Sequence, residues 1–207
     1  MSISTNVKVH VNIMLTALTN VGMDYLWYNE YPVGNPTKVT KEHLERVFAY
    51  EFYHQWRKIL ESLGCTLYLN GEISKKIRGD MENNNVSTLF PDIVLHGGQN
   101  CKKKRYQLLA CEIKRKEGMS PQKLKEDIIS LINYISEDYF TQNPFQCGVF
   151  ILVGDVMNTI KSKNYIKKLR SIAKISEYLK KIVCVSYNYE NDTPNIQIEP
   201  LFKILSN

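Results

Sequence analysis

The chain has 207 residues, 43% hydrophobic and 23% charged, with a formal net charge of +6. That balance excludes an intrinsically disordered chain and is enough for one well-packed core, or a core with an appended segment. The positive surplus permits an anionic partner, and it equally suits a lysine-rich surface kept for solubility.

No internal repeat or low-complexity tract interrupts the chain. Residues 7–28 are apolar-rich and expected to be helical, until Tyr31-Pro32-Val33-Gly34-Asn35-Pro36 breaks the pattern. Residues 1–40 therefore read as an N-terminal extension, helical and packed on a domain formed by 41–207. Thr40 followed by Glu42 marks a helix start, and the periodicity continues to Leu63, with Gly64 as the C-terminal cap residue. Residues 65–69 suggest a strand, and 79–87 a polar loop. A strand over 90–96, a Gly97-Gly98 turn, the basic run Lys102-Lys103-Lys104-Arg105 and a strand over 106–114 follow. Ser120-Pro121 supplies an N-cap and a first-turn proline for a helix to about Tyr139. The uninterrupted apolar run 148–153 fits a strand buried on both faces. A basic helix over 164–181 and strands over 182–189 and 195–202 complete an α/β chain. Its strand–helix–strand passage 106–153 implies parallel pairing.

Cys65, Cys101, Cys111, Cys147 and Cys184 are odd in number, form no CxxC, and are not paired with histidines at zinc-ligand spacing. Disulfide and zinc frameworks are thereby disfavoured, and a reducing, cytoplasmic setting is expected. Lys8 and His10 stand where a signal peptide would begin its apolar stretch, and no window approaches the roughly 18 apolar residues of a membrane span.

The chemistry concentrates in Pro91-Asp92-Ile93-Val94-Leu95-His96 and in Glu112-Ile113-Lys114. Strand alternation puts Glu112 and Lys114 on one face, continued by Leu108 and Ala110, with Leu109, Cys111 and Ile113 on the other. A strand that turns charged at its C-terminal end marks the usual ligand position of an open α/β sheet. Two carboxylates brought together repel unless a cation lies between them, and a divalent metal beside a lysine suits phosphate chemistry.

These residues resemble the motif of the PD-(D/E)xK nuclease superfamily, and the expected order α, β, β, β, α, β over 41–153 resembles that superfamily's restriction-endonuclease-like core, a mixed sheet flanked by helices. The resemblance implies a Mg²⁺-dependent endonuclease acting on duplex or branched DNA, with Mn²⁺ as a substitute metal. Asp92, Glu112 and the Ile113 carbonyl would hold the metal, and Lys114 would position or activate the attacking water. Two carboxylates and a carbonyl are a sufficient protein share for a hard ion that keeps several waters.

The superfamily commonly adds an acid from the first helix. On a helical projection Phe48, Phe52, Trp56, Ile59 and Leu63 define the apolar face, with Glu45 near its middle and Glu51 at its edge beside Gln55. Burying an unpaired carboxylate is costly, so Glu45 is the first choice, Glu51 the reserve, and Glu72 a weaker candidate. His96 could reach substrate, and Gln122, Lys123 and Asp127 open the helix after Lys114, with nothing to choose among them. The bland alternatives are an exposed Glu112–Lys114 pair, a turn-capping Asp92, and a Glu45 that merely favours the helix dipole.

Lysines and arginines at 102–105, 114–116 and along 161–181, where Lys163, Lys167, Arg170, Lys174 and Lys181 would form one stripe, could follow a phosphate backbone. Two rivals share the fold: a catalytically silent DNA-binding or assembly module, and a Holliday-junction-type resolvase. Cutting both strands of a duplex would favour a homodimer.

Overall fold

The computed structural model describes residues 4–30, 40–43, 45–71, 91–98, 107–116, 118–137, 144–154 and 157–206. Glu72, the 79–87 loop and the 102–105 basic run lie outside the described residues.

Six strands form one mixed sheet: β3 (Tyr68–Gly71), β4 (Ile93–His96), β5 (Gln107–Arg115), β6 (Cys147–Val153), β7 (Ile182–Glu190) and β8 (Thr193–Pro200). They lie side by side in chain order, with β5, β6 and β7 mutually parallel and the remaining neighbours antiparallel. The parallel centre must be buried on both faces, and β6 has the sequence for it: Cys-Gly-Val-Phe-Ile-Leu-Val is buried at every position. A second, two-stranded sheet pairs β1 (Trp27–Glu30) antiparallel with β2 (Thr40–His43).

Helices cover both faces of the large sheet. On one side lie α1 (Thr5–Thr19) and α2 (Glu45–Ser62), sharing a core with Leu109, Ile113, Val149 and Val185. On the other lie α3 (Pro121–Ile135), the short helices α4 (Asn158–Lys161), α5 (Lys163–Arg170) and α6 (Ile175–Tyr178), and α7 (Leu201–Ser206). Phe48, Phe52 and Trp56 stack along α2 with ring centroids 6.1 and 5.4 Å apart, and Phe48 meets Tyr187 of β7 at 5.0 Å. All four rings are fully buried. At roughly 1.5–3 kcal/mol for burying a large apolar side chain, this stack locks the rotation of α2, and with it the direction of Glu45.

Helix ends follow local chemistry where it is strong. The Ser120 hydroxyl accepts from the Lys123 amide at 3.2 Å, with Pro121 in the first turn, as the Ser-Pro pair predicts. Gly64 adopts φ +61° just beyond α2, where its missing Cβ removes the strain of the left-handed region.

Several expectations need correction. Residues 40–43 are strand and α2 begins at Glu45, because Thr40–His43 finds a partner in Trp27–Glu30 that no local signal discloses. The N-terminal helix stops at Thr19, so the helix expected over 7–28 is shorter. The fourth buried position of α2 is Leu60, while Leu63 is 61% exposed past the end of the helix. The first strand of the sheet is Tyr68–Gly71 and not 65–69; the helix expected to Tyr139 ends at Ile135. Leu108 packs with Leu109 in the α1/α2 core while Ala110 faces α3, because the β4–β5 register shifts at Leu95/His96 and disturbs strict alternation. The single basic helix expected over 164–181 is two short helices, α5 and α6, broken between Ser171 and Lys174, where Lys174 takes φ +58°. The Arg170 guanidinium donates to the Leu205 carbonyl at 2.5 Å, turning it toward α7 and out of a continuous stripe. The last strand ends at Pro200, and Leu201–Ser206 forms a helix.

Candidate active site

Because β4 runs antiparallel to β5 with Ile93 opposite Cys111, Asp92 stands one step further along, beside Glu112 and Ile113. Its Oδ2 accepts a hydrogen bond from the Ile113 amide at 2.6 Å. Sequence-remote carboxylates thus meet at the C-terminal end of a central parallel strand. The rotation of α2 sends Glu45 to the same place, where its Oε2 accepts from the Arg115 amide at 3.1 Å.

Lys114 occupies the centre of this group. Its Nζ lies 3.7 Å from Glu45, 3.9 Å from Asp92 and 4.0 Å from Glu112. Burial would lower the pKa of this lysine, but the charges of Asp92, Glu45, Glu112 and Asp127 more than reverse that, so its net shift is upward. It is a fixed cation and not a ready base.

Glu112 is the most deeply buried member, at 5% exposure. Burial first, and then the neighbouring Asp92 charge, push its carboxyl up to about 8, against the opposing effects of Lys114 and of a hydrogen bond from the Tyr134 hydroxyl. Tyr134 lies on α3, itself buried. Asp127 comes from the same helix: burial is the main cause of its rise to about 6, opposed by Lys114 and assisted by Asp92 and Glu45. Among the described residues, its Oδ2 is buried without a hydrogen-bond partner.

Glu45, Asp92, Glu112 and Lys114 are therefore brought together. Glu51 is not: it accepts from Gln55 at 2.5 Å, one turn further along α2. His96 lies at the other end of β4, buried at 6% exposure and bonded to Asn70, so a direct substrate contact is not supported. Gln122 donates to Glu126 at 2.7 Å on the exposed side of α3. Of the three residues at the start of that helix, tertiary packing selects Asp127. Sequence inspection missed Tyr134, whose only local signal is an aromatic on the buried face of an amphipathic helix.

Among the described residues, no three His, Cys, Asp or Glu side chains converge as a ready-made metal cage. The donor chemistry nonetheless fits a hard divalent cation. The available groups are all oxygens, three carboxylates converge on the Lys114 ammonium, and among the described residues Asp127 leaves a buried oxygen without a hydrogen-bond partner. No family model, curated protein or solved structure matches the chain. Among the described residues, no helix is long and apolar enough to cross a membrane.

Proposed function

We propose that the protein is a metal-dependent nuclease of the PD-(D/E)xK type that hydrolyses DNA phosphodiester bonds. The observation that carries this reading is the placement of Lys114 Nζ 3.7–4.0 Å from three carboxylates supplied by α2, the start of β4 and β5. The element order α2, β3, β4, β5, α3, β6 agrees with the αβββαβ core of that superfamily and supports the same reading.

Asp92, Glu112 and the Ile113 carbonyl would hold Mg²⁺, or Mn²⁺ in its place. When bound, the ion supplies charge neutralisation at the phosphoryl oxygens and acidifies a water. Lys114 holds positive charge toward the scissile phosphate and orients the attacking water. Glu45 keeps the ammonium in place, and Tyr134 directs the Glu112 carboxyl. In the reaction a P–O bond to water forms as one ester P–O bond breaks. The water gives up a proton and the departing oxygen takes one up. The fixed charges need no rearrangement as charge builds on the phosphate, which is where such groups contribute most.

Cations flank this end of the sheet. Lys116 is exposed just after β5, and the Tyr165 hydroxyl on α5 donates to the Met119 carbonyl at 2.9 Å, tying that basic helix to the loop beyond the site. Lys163 and Lys167 are exposed on α5 and suit a polyanion.

The test is cleavage of linear, branched and single-stranded DNA in Mg²⁺ and Mn²⁺, with metal binding followed by calorimetry. Cutting that is lost in Asp92→Ala and Lys114→Ala variants of intact fold is the expected result. No cutting of any form together with no metal binding would refute the proposal. Binding without cutting, unaffected by Glu112→Gln, would instead favour a silent DNA-binding module, and cutting confined to branched DNA a resolvase.

A further inference from the structure

A groove of about 370 Å³ opens directly beside the carboxylates. Its wall is the stripe Arg46, Tyr50 and Tyr53 on α2, at spacings of four and three that put all three on one face. Its floor is Ile93 and Ile113, and Glu45 and Asp92 stand at its acidic end. That volume falls within the range of small-molecule sites and has room for one nucleoside-sized group.

The two tyrosines differ in a way that packing does not account for. Tyr53 is tied down, its hydroxyl donating to the Leu69 carbonyl at 3.0 Å. Tyr50 is 66% exposed, although the core-facing stripe of α2 is already supplied by Phe48, Phe52, Trp56 and Leu60. An exposed aromatic one turn from an exposed arginine, beside a candidate phosphate-cutting site, offers a π-face for a base and a guanidinium for the adjoining phosphate.

Resting on the nuclease reading, we infer that this groove takes a single unstacked nucleotide next to the scissile phosphate, so that the substrate is single-stranded DNA. In a continuous duplex each base is already stacked on its neighbours and hydrogen-bonded to its partner, and none is available to Tyr50. Stacking accepts any base, so the preference would be for strand form and not for sequence.

The experiment is fluorescence anisotropy of the full chain in Mg²⁺, using labelled oligothymidylate with phosphorothioate linkages and a duplex of equal length. Wild type should prefer the single strand. Tyr50→Ala should weaken that binding roughly ten- to a hundredfold, the worth of one base–aromatic stack, and leave duplex binding unchanged. Tyr50→Trp should restore it. Because Tyr50 is exposed, thermal unfolding of Tyr50→Ala should match wild type; should that variant prove unstable, Arg46→Gln serves instead and should weaken binding several-fold. Single-strand binding indifferent to these substitutions, or a wild-type preference for duplex, overturns the inference. Tyr50-dependent single-strand binding without cleavage of any DNA would remove the nuclease reading and its scissile phosphate while leaving the nucleotide groove, whereas duplex cutting with Tyr50-independent binding would remove this inference alone.

Discussion

The two ends of the β4–β5 pair bury polar side chains in opposite ways. At one end His96 is electrically closed. Its Nδ1 accepts from the Gly98 amide at 3.0 Å, which leaves the proton on Nε2 to be given to Asn70 Oδ1 at 2.8 Å. Gly98 serves that arrangement twice, by adopting φ +85° and by lacking a Cβ that would lie 2.9 Å from the Tyr68 ring. At the other end, Glu45, Asp92 and Glu112 converge on the Lys114 ammonium, and among the described residues a buried oxygen of Asp127 has no hydrogen-bond partner. Burial alone does not distinguish the two. The His96 end is satisfied by its own residues, whereas at the acidic end, among the described residues, three carboxylates converge on the Lys114 ammonium, an arrangement that suits a cation.

The largest expected effect at the acidic end is kinetic. Lys114→Ala should slow Mg²⁺-dependent cleavage roughly a hundred- to a thousandfold in single-turnover assays, the typical cost of removing one fixed group that faces developing charge. Undiminished cleavage would take Lys114 out of the chemistry.

Next comes a pH dependence at the acidic end. The Glu112 carboxyl rises from 4.5 to about 8 on folding, so its protonated form is favoured in the folded chain. That contribution is complete below pH 4.5 and is lost as pH climbs through 8, with an upper bound of about 5 kcal/mol. In chelator, the melting temperature should therefore fall between pH 5 and 8. Glu112→Gln should flatten that slope, and Mg²⁺ should recover stability at pH 8 by binding the ionised carboxylate. A slope unchanged by Glu112→Gln would assign the pH dependence to other groups.

His96→Ala should cost about 1–3 kcal/mol in urea unfolding, because it strips the partners from half-buried Asn70 and Gly98 groups, yet it should not alter cleavage by the folded fraction. A large loss of activity would erase the contrast between the two ends. The smallest change is at Asp127. In chelator, Asp127→Asn should stabilise the protein by about 1 kcal/mol, since it replaces an unpartnered buried carboxylate oxygen with a neutral amide. Destabilisation there would mean that Asp127 already has a structural role.

Much of this arrangement was legible locally. Ser120-Pro121 and Gly64 set helix ends through their own backbone preferences, and the apolar runs defined the central strands. Strand alternation placed Glu112 beside Lys114. The helical period of α2 pointed to Glu45, because a carboxylate on an apolar stripe needs an explanation. By contrast, the sequence lets His96 reach substrate, and only the tertiary contacts with Asn70 and the Gly98 amide tie it down.

The sequence by itself determined the order of the main helices and strands and the pairing of charged types on β5, because both follow from periodicities of two and 3.6 residues. Tertiary structure alone decided that 40–43 would be strand, that the register would shift at Leu95/His96, and that the basic segment would break to let Arg170 reach Leu205. It also brought Tyr134 and Asp127 of α3 to the carboxylates and put Tyr50 beside them in an open groove. Each of these depends on partners distant in the chain, and a local pattern carries no information about which distant surface it will meet.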